Sequence, residues 1–136
     1  MSRTLNKNVF IKIAAVVAVL FSLLTVVEGL QVLLGITNPE YIVLTPLLIY
    51  NVIMGIVGMF VGVMIWANHR QALKFTTIVF AAHIIVLIFL GAIYFSNGAV
   101  ALHSVKAMSI RSVVWLAIVW AVWKTNKTNR FNSNKI

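Results

Sequence analysis

The stretch LLTVVEGLQVLL, residues Leu23 to Leu34, is a nearly continuous apolar run interrupted by one carboxylate, Glu28. With the residues before it, the run covers 13–34, which is enough for a helix to cross a bilayer at ~20 residues per crossing. No small-x-small cleavage pattern closes the run, so we expect a retained helix rather than a signal peptide. The run therefore predicts a transmembrane helix. A carboxylate within such a helix is unusual, so the position of Glu28 requires an explanation.

Three more apolar segments of similar length follow along the 136 residues. Polar stretches, or stretches that contain glycine and proline, separate them. We predict four transmembrane helices over residues 13–34, 46–67, 75–95 and 104–123. The predicted fold class is all-α: an integral membrane four-helix transmembrane bundle whose helices run up, down, up and down.

The composition supports the membrane class. Hydrophobic residues make up 62% of the chain and charged residues 10%, whereas a soluble domain has about 45–50% apolar and about 25% charged residues. The net charge of +9 would suggest nucleic acid in a soluble protein, but here the cations flank apolar runs. We therefore expect the lipid bilayer as partner and no nucleic acid. The chain has no cysteine, which excludes disulfides, thiolate metal sites and dithiol redox chemistry.

The cations also predict an orientation. Nine of the eleven Lys and Arg residues fall on one side of the predicted bundle. They occupy a basic N-terminus over 1–12, the connection between the second and third helices, and a basic tail over 124–136 that we predict to be disordered. By the positive-inside rule both termini are expected in the cytoplasm. Short loops and no targeting signal indicate the bacterial cytoplasmic membrane, that is, the inner membrane.

Glu28 has two polar counterparts at its depth. It lies about six residues, or ~9 Å, inside the outer end of its helix, and Asn51 and Arg111 lie at similar depths in the second and fourth helices. A charge at the centre of a membrane helix costs about 2.5–3.5 kcal/mol, so it should face the bundle interior beside a partner. We predict a Glu28–Arg111 ion pair in the outer half of the bundle, with Asn51 nearby.

A stripe of small residues marks one face of the second helix. Gly55, Gly58 and Gly62 share this face with Asn51 at helical spacing. Small residues at such spacing let another helix approach closely. The stripe therefore predicts helix packing, and it places Asn51 inside the bundle.

Three further polar residues accompany this cluster. Gln31 shares a helical face with Glu28, and His103 and Lys106 lie at the outer end of the fourth helix. Lys106 is an alternative cation for Glu28, but it can snorkel to water and needs a partner less. His103 and Lys106 are either solvated residues or, above Arg111, the mouth of an anion or headgroup site.

His83 lies near mid-membrane in the third helix and allows three interpretations. In a structural role it bonds Ser, Thr or a backbone carbonyl across the bundle. As a haem b ligand it needs a second axial ligand at similar depth, and neither His69 nor His103 matches its depth. Met54, Met59 or Met64 could serve instead, although methionine in an apolar helix is usually a packing residue. As part of a proton relay to Glu28 it needs water or Tyr94 to cover a gap on the order of 8–10 Å.

Catalytic motifs are absent: there is no phosphate-binding glycine loop, nucleophile elbow or zinc helix, and no metal site is expected. We therefore expect a non-enzymatic accessory subunit, or a binder of a small lipophilic ligand (lipid or quinone) that uses the polar cluster. The alternatives are a pair that only fixes helix register, a redox or proton-handling protein that uses His83, and a small oligomeric transporter. A membrane protein partner or a homo-oligomer is compatible with each of these.

Overall fold

The computed structural model describes residues 2–98 and 100–133 of the chain, and these residues form four α-helices. Their bounds are Ser2–Leu33 for α1, Thr45–Trp66 for α2, Ala72–Asn97 for α3 and Leu102–Ser133 for α4. All four are long enough and apolar enough to cross a membrane. The predicted all-helical fold with four long apolar helices is therefore confirmed.

The breakers in the sequence lie where the helices begin and end. Pro46 lies in the first turn of α2, where its missing N–H costs no helical hydrogen bond. Gly35 and Gly98 follow the last turns of α1 and α3 with φ of 69° and 63°. Glycine adopts this left-handed conformation at little cost, and the turn it makes satisfies the last carbonyls of the helix.

The structure differs from the sequence-based expectation at both ends. The basic segment over 1–12 is helical from Ser2 onward and belongs to α1, with Met1 outside the described residues. The basic tail over 124–136, predicted to be disordered, continues α4 as far as Ser133, and residues 134–136 lie outside the described part. α1 and α4, the first and last helices, are thus longer than the apolar runs from which they were predicted.

Contacts one helical turn apart explain the extension of α4. The Nζ atoms of Lys124 and Lys127 lie 4.8 and 5.1 Å from the ring centres of Trp120 and Trp123. Such cation–π contacts favour the helix because residues four apart are neighbours on its surface. Thr125 is buried and its hydroxyl donates a hydrogen bond to the Ala121 carbonyl. The composition of the tail does not reveal these contacts with residues one turn earlier.

The four helices form a closed ring in which each contacts the next along the chain and α1 also contacts α4. α1 and α2 are antiparallel, because Gly29 near the end of α1 lies beside Val52 near the start of α2, and Val19 lies beside Gly62. α1 and α2 form the most extensive contact. A Cβ at Gly62 would lie 2.5 Å from Cγ2 of Val19, and a Cβ at Gly55 only 2.6 Å from Cγ2 of Val26. The glycine stripe therefore lies directly against α1.

Two hydrophobic clusters divide the bundle into halves. The basic half contains the described chain ends and the α2–α3 connection, and all four helices contribute to its buried cluster: Ile11, Ala15, Ala18, Val61, Ile65, Ala72, Val79, Trp115, Ile118 and Val122. The cavity half contains the α1–α2 and α3–α4 loops. Its cluster of Leu90, Val100 and Met108 packs with residues of α2, α3 and α4, and no described residue of α1 joins it.

Candidate functional site

In the cavity half, the space between α1, α2 and α4 holds a cavity of about 110 Å³. Its walls combine polar and apolar side chains from these three helices and from the loop before α2. They are Thr25, Glu28, Gly29, Val32, Tyr41, Val43, Leu44, Leu47, Leu48, Asn51, His103, Ser104, Ala107 and Arg111. Four of the predicted site residues thus meet in one place: Glu28, Asn51, His103 and Arg111.

Helical spacing brings the wall residues to the cavity. On α4, Ser104, Ala107 and Arg111 follow one another at three- and four-residue intervals, and so lie on one face. On α1, Gly29 lets α2 come close beside the cavity, because a Cβ there would lie 2.5 Å from Cγ2 of Val52. The cavity is therefore bounded by a tight α1–α2 contact on one side and by α4 on the other.

Two buried atoms in the cavity wall have no hydrogen-bond partner within the described chain: Oδ1 of Asn51 and Nε of Arg111. In folded proteins roughly 90% or more of buried polar groups are hydrogen-bonded, so an orphaned pair in one cavity is unusual. A buried donor or acceptor that is left without any hydrogen-bond partner costs about 1–3 kcal/mol. A polar molecule bound in the cavity could therefore stabilise the protein by forming the hydrogen bonds that these two atoms lack.

The predicted Glu28–Arg111 ion pair is not formed among the described residues. The two charges interact electrostatically and line the same cavity, but they make no direct contact. The physical reason is the packing of α1, which lies against α2 along the glycine stripe and contacts α4 much less. Glu28 is exposed rather than buried, so one side of the cavity is open.

An aromatic pair stands at this open side. The rings of Tyr41, from the α1–α2 loop, and His103, from the first turn of α4, stack at 4.5 Å with 27° between their planes. Both side chains are exposed. His103 therefore lies at the open side of the cavity. Lys106 and Gln31 are exposed and do not line the cavity.

His83 is buried, with 3% of its surface exposed. Its Nδ1 lies 3.0 Å from the hydroxyl of Tyr50, and the two rings meet edge to face at 5.9 Å. The expected partner was Ser, Thr or a backbone carbonyl, so Tyr50 is a residue that sequence reasoning missed. The available signal was a hydroxyl-bearing aromatic in the middle of an apolar helix, directly before Asn51.

The cavity and His83 are connected through Arg111. Arg111 interacts electrostatically with Tyr50 and with His83 as well as with Glu28. Each of the four helices thus contributes one ionisable or phenolic group to this set, and among the described residues the direct contact within it is that between Tyr50 and His83. Tyr94, the bridge considered from sequence, instead packs its ring against Phe95 at 5.5 Å.

The surroundings of His83 do not fit a haem. Its ring is buried between those of Tyr50 and Trp115, whose centres lie 5.9 and 6.2 Å away. The methionines Met54 and Met64 pack against the hydrophobic cluster of the basic half. Within the described residues, no three His, Cys, Asp or Glu side chains are grouped to hold a metal ion.

Comparisons with protein-family models, with curated proteins and with solved structures find no match to this chain. The fold and site define only a class: a bundle of four membrane-length apolar helices with a polar cavity in one half. The function is accordingly argued from the cavity and from the residues around it.

Proposed function

We propose that this chain is a multi-pass protein of the bacterial cytoplasmic membrane, with both termini in the cytoplasm. The outer faces of the helices support this, because they expose large apolar side chains such as Phe60, Ile85 and Leu24. The cations support the orientation, because the basic half contains those at the start of α1, in the α2–α3 connection and at the end of α4. Nζ of Lys12 lies 5.1 Å from the ring centre of Trp66, a pairing typical of a membrane interface.

The topology can be tested by introducing single cysteines. The chain contains no cysteine of its own, so only the introduced residue can react with a labelling reagent. We would place one in the α1–α2 loop (Asn38→Cys) and one in the α2–α3 connection (Gln71→Cys), and treat intact cells with a membrane-impermeant maleimide. Both positions are exposed. We expect labelling at position 38 and labelling at position 71 only after cell lysis. The reverse pattern would invert the orientation, and equal labelling of both would contradict membrane insertion.

We further propose that the protein is a non-enzymatic binder of a small lipophilic ligand, a lipid or a quinone. The polar head of the ligand enters the cavity and its apolar part lies along the helices. The observation that carries this proposal is the pair of orphaned buried atoms, Asn51 Oδ1 and Arg111 Nε, in one cavity. A ligand that supplies their missing partners recovers the free energy that their isolation costs.

A purely structural role for the charges is the competing explanation. A pair that fixes helix register does so through direct contact between its members. Glu28 and Arg111 face a common space without such contact. An intramembrane guanidinium whose Nε has no hydrogen-bond partner among the described residues is a candidate for binding something else.

Native mass spectrometry of the gently extracted protein tests ligand binding. We would compare the unmodified protein with Arg111→Ala and with Lys106→Ala, which removes the same charge from an exposed position of the same helix outside the cavity. We expect a retained lipid or quinone on the unmodified protein and on Lys106→Ala, and none on Arg111→Ala at equal helicity. Retention that does not depend on Arg111 would contradict the proposal. The same spectrum reports a partner subunit or a second copy.

A second candidate function is proton handling, and the hydrogen-bonded pair of Tyr50 and the buried His83 favours it. Proteoliposomes with a pH-sensitive dye inside and an imposed membrane potential test this function. We expect proton flux that falls in Tyr50→Phe and in His83→Gln. No flux above empty vesicles would remove this candidate and leave ligand binding in place.

A further inference from the structure

The orphaned atoms in the cavity have opposite hydrogen-bonding roles. Nε of Arg111 carries a hydrogen and can only donate, whereas Oδ1 of Asn51 can only accept. The Glu28 carboxylate also lines the cavity, and it has no hydrogen bond or ion pair with any described residue. The cavity therefore offers one cationic donor and two acceptors, one of which is an anion. A matching ligand carries both an anionic acceptor and a cationic donor.

Ligand classes differ in how far they meet this demand. The carbonyls of a quinone only accept, so they serve Arg111 and leave Asn51 and Glu28 without a partner. A phosphoglycerol headgroup serves Arg111 through its phosphate, but its net negative charge is repelled by Glu28. A phosphocholine headgroup neutralises Glu28, but its quaternary nitrogen has no hydrogen to give to Asn51. Each of these ligand classes leaves at least one of the three groups without a favourable partner.

A phosphate joined to a protonated primary amine meets all three demands. The phosphate oxygens accept from Arg111, and charge-assisted contacts between guanidinium and phosphate are among the strongest hydrogen bonds in proteins. The ammonium group has three donors, enough for both the Glu28 carboxylate and Asn51 Oδ1. The apolar wall residues Val32, Leu44 and Leu47 remain for the glycerol and the first part of the acyl chains.

We propose that the cavity between α1, α2 and α4 holds a zwitterionic phospholipid headgroup with a primary amine, of the ethanolamine type. The phosphate lies at Arg111, and the ammonium lies between Glu28 and Asn51. This inference rests on the proposed function, since it names the ligand class of the same cavity. Glu28 is then the residue that selects the headgroup, and Arg111 the residue that anchors any ligand.

Lipid titrations by native mass spectrometry test the inference on delipidated full-length protein. The probes are ethanolamine, choline and glycerol phospholipids with identical acyl chains, and a quinone with an isoprenoid tail. The variants are Glu28→Gln, which keeps size but removes charge, Arg111→Ala, and the control Glu40→Gln, an exposed acid outside the cavity. Circular dichroism confirms that each variant retains its helices.

We expect the unmodified protein and Glu40→Gln to bind the ethanolamine lipid about tenfold more tightly than the other three probes, which corresponds to about 1.4 kcal/mol. Glu28→Gln should bring the ethanolamine and glycerol lipids to similar affinity, and Arg111→Ala should weaken every probe. Equal binding of ethanolamine and choline lipids, or tightest binding of the glycerol lipid or the quinone, would overturn the inference. If binding still depends on Arg111 in those cases, the proposed function stands. Binding that is insensitive to Arg111 would overturn both.

Discussion

The basic half and the cavity half of the bundle are built from the same four helices in opposite ways. In the basic half, residues of all four helices form one apolar cluster, and small residues such as Ala15 and Gly62 bring α1 and α2 together. In the cavity half, α1 stays outside the apolar cluster, and polar side chains border the space between it and α4. One half is closed by packing and the other is left open.

This difference separates the parts of the chain that hold the bundle together from those that carry polar chemistry. Unpartnered polar groups such as Arg111 Nε lower the stability of a fold. A site built from them persists only if well-packed elements elsewhere hold its walls in place. The contact between Gly62 and Val19 and the apolar cluster of the basic half supply that support. Substitution of the packing residue Gly62 in the basic half and of the unpartnered Arg111 in the cavity half should therefore change stability with opposite signs.

The largest effect is expected from Gly62→Leu in the basic half. A Cβ at position 62 would lie 2.5 Å from Cγ2 of Val19 and 3.1 Å from its backbone nitrogen, so α1 and α2 must move apart. We expect the free energy of unfolding to fall by about 3 kcal/mol, the upper part of the range for overpacking. Denaturation in mixed micelles measures it. Gly91→Leu is the control, because no atom lies within 4 Å of a Cβ at that position; an equal loss there would refute the packing argument.

In the cavity half, Arg111→Met should have the opposite sign. The apolar side chain fills similar space and removes a buried donor that has no protein partner. We expect the ligand-free protein to gain about 1–2 kcal/mol, as when buried charges are replaced by apolar residues of similar volume. The same micelle denaturation measures the change, and Lys106→Met on the exposed side of α4 should leave stability unaltered. A loss of stability in Arg111→Met would mean that Arg111 holds the fold together.

Tyr50→Phe removes the hydroxyl that pairs with Nδ1 of His83 and leaves the ring in place. Because His83 is buried, its nitrogen then lacks a partner. We expect the free energy of unfolding to fall by about 1 kcal/mol, within the range measured for hydrogen bonds between membrane helices. Tyr94→Phe is the matched control, since the ring of Tyr94 packs against Phe95 and that contact survives. Equal effects of the two substitutions would show that the bond to His83 adds nothing.

The smallest effect is expected at the end of α4, between Trp123 and Lys127. The Nζ–ring distance of 5.1 Å predicts a coupling energy of about 0.5 kcal/mol in a double-mutant cycle with Trp123→Leu and Lys127→Met. The helicity of the variants by circular dichroism reports whether α4 shortens toward position 123. A second cycle between Trp123 and the distant Lys106 should be additive. Coupling of similar size in both cycles would show that the ring contact is not its source.

Sequence patterns located the groups that meet at the cavity but not their contacts. Helical depth was enough to bring Glu28, Asn51 and Arg111 to one place, because rise per residue converts sequence position into height within any helix. The direct ion pair was wrong, because depth says nothing about the lateral distance between helices. Tyr50 was missed for the same reason: its partner His83 lies on another helix.

The tail showed a different limit. Its Asn- and Lys-rich composition predicted disorder, yet α4 continues to Ser133. Composition measures how much apolar surface a segment can bury by itself. It takes no account of a lysine that lies over a tryptophan one turn earlier, as Lys124 does over Trp120. The four-residue spacing between each tryptophan and the lysine that follows it indicates these contacts, but only when the tail is considered together with the helix before it.

The sequence by itself determined four membrane-length helices, the position of most cations outside the apolar runs, and the glycine face along which α2 meets another helix. These properties follow from hydropathy, charge and spacing within single segments, and they survive any arrangement of the helices around one another. Only the tertiary structure decided that α1 lies tightly on α2 and loosely on α4, that Glu28 and Arg111 face a cavity without touching, and that Tyr50 engages His83. Side chains meet or miss by the distance between helix axes, and that distance is set by packing across the whole bundle.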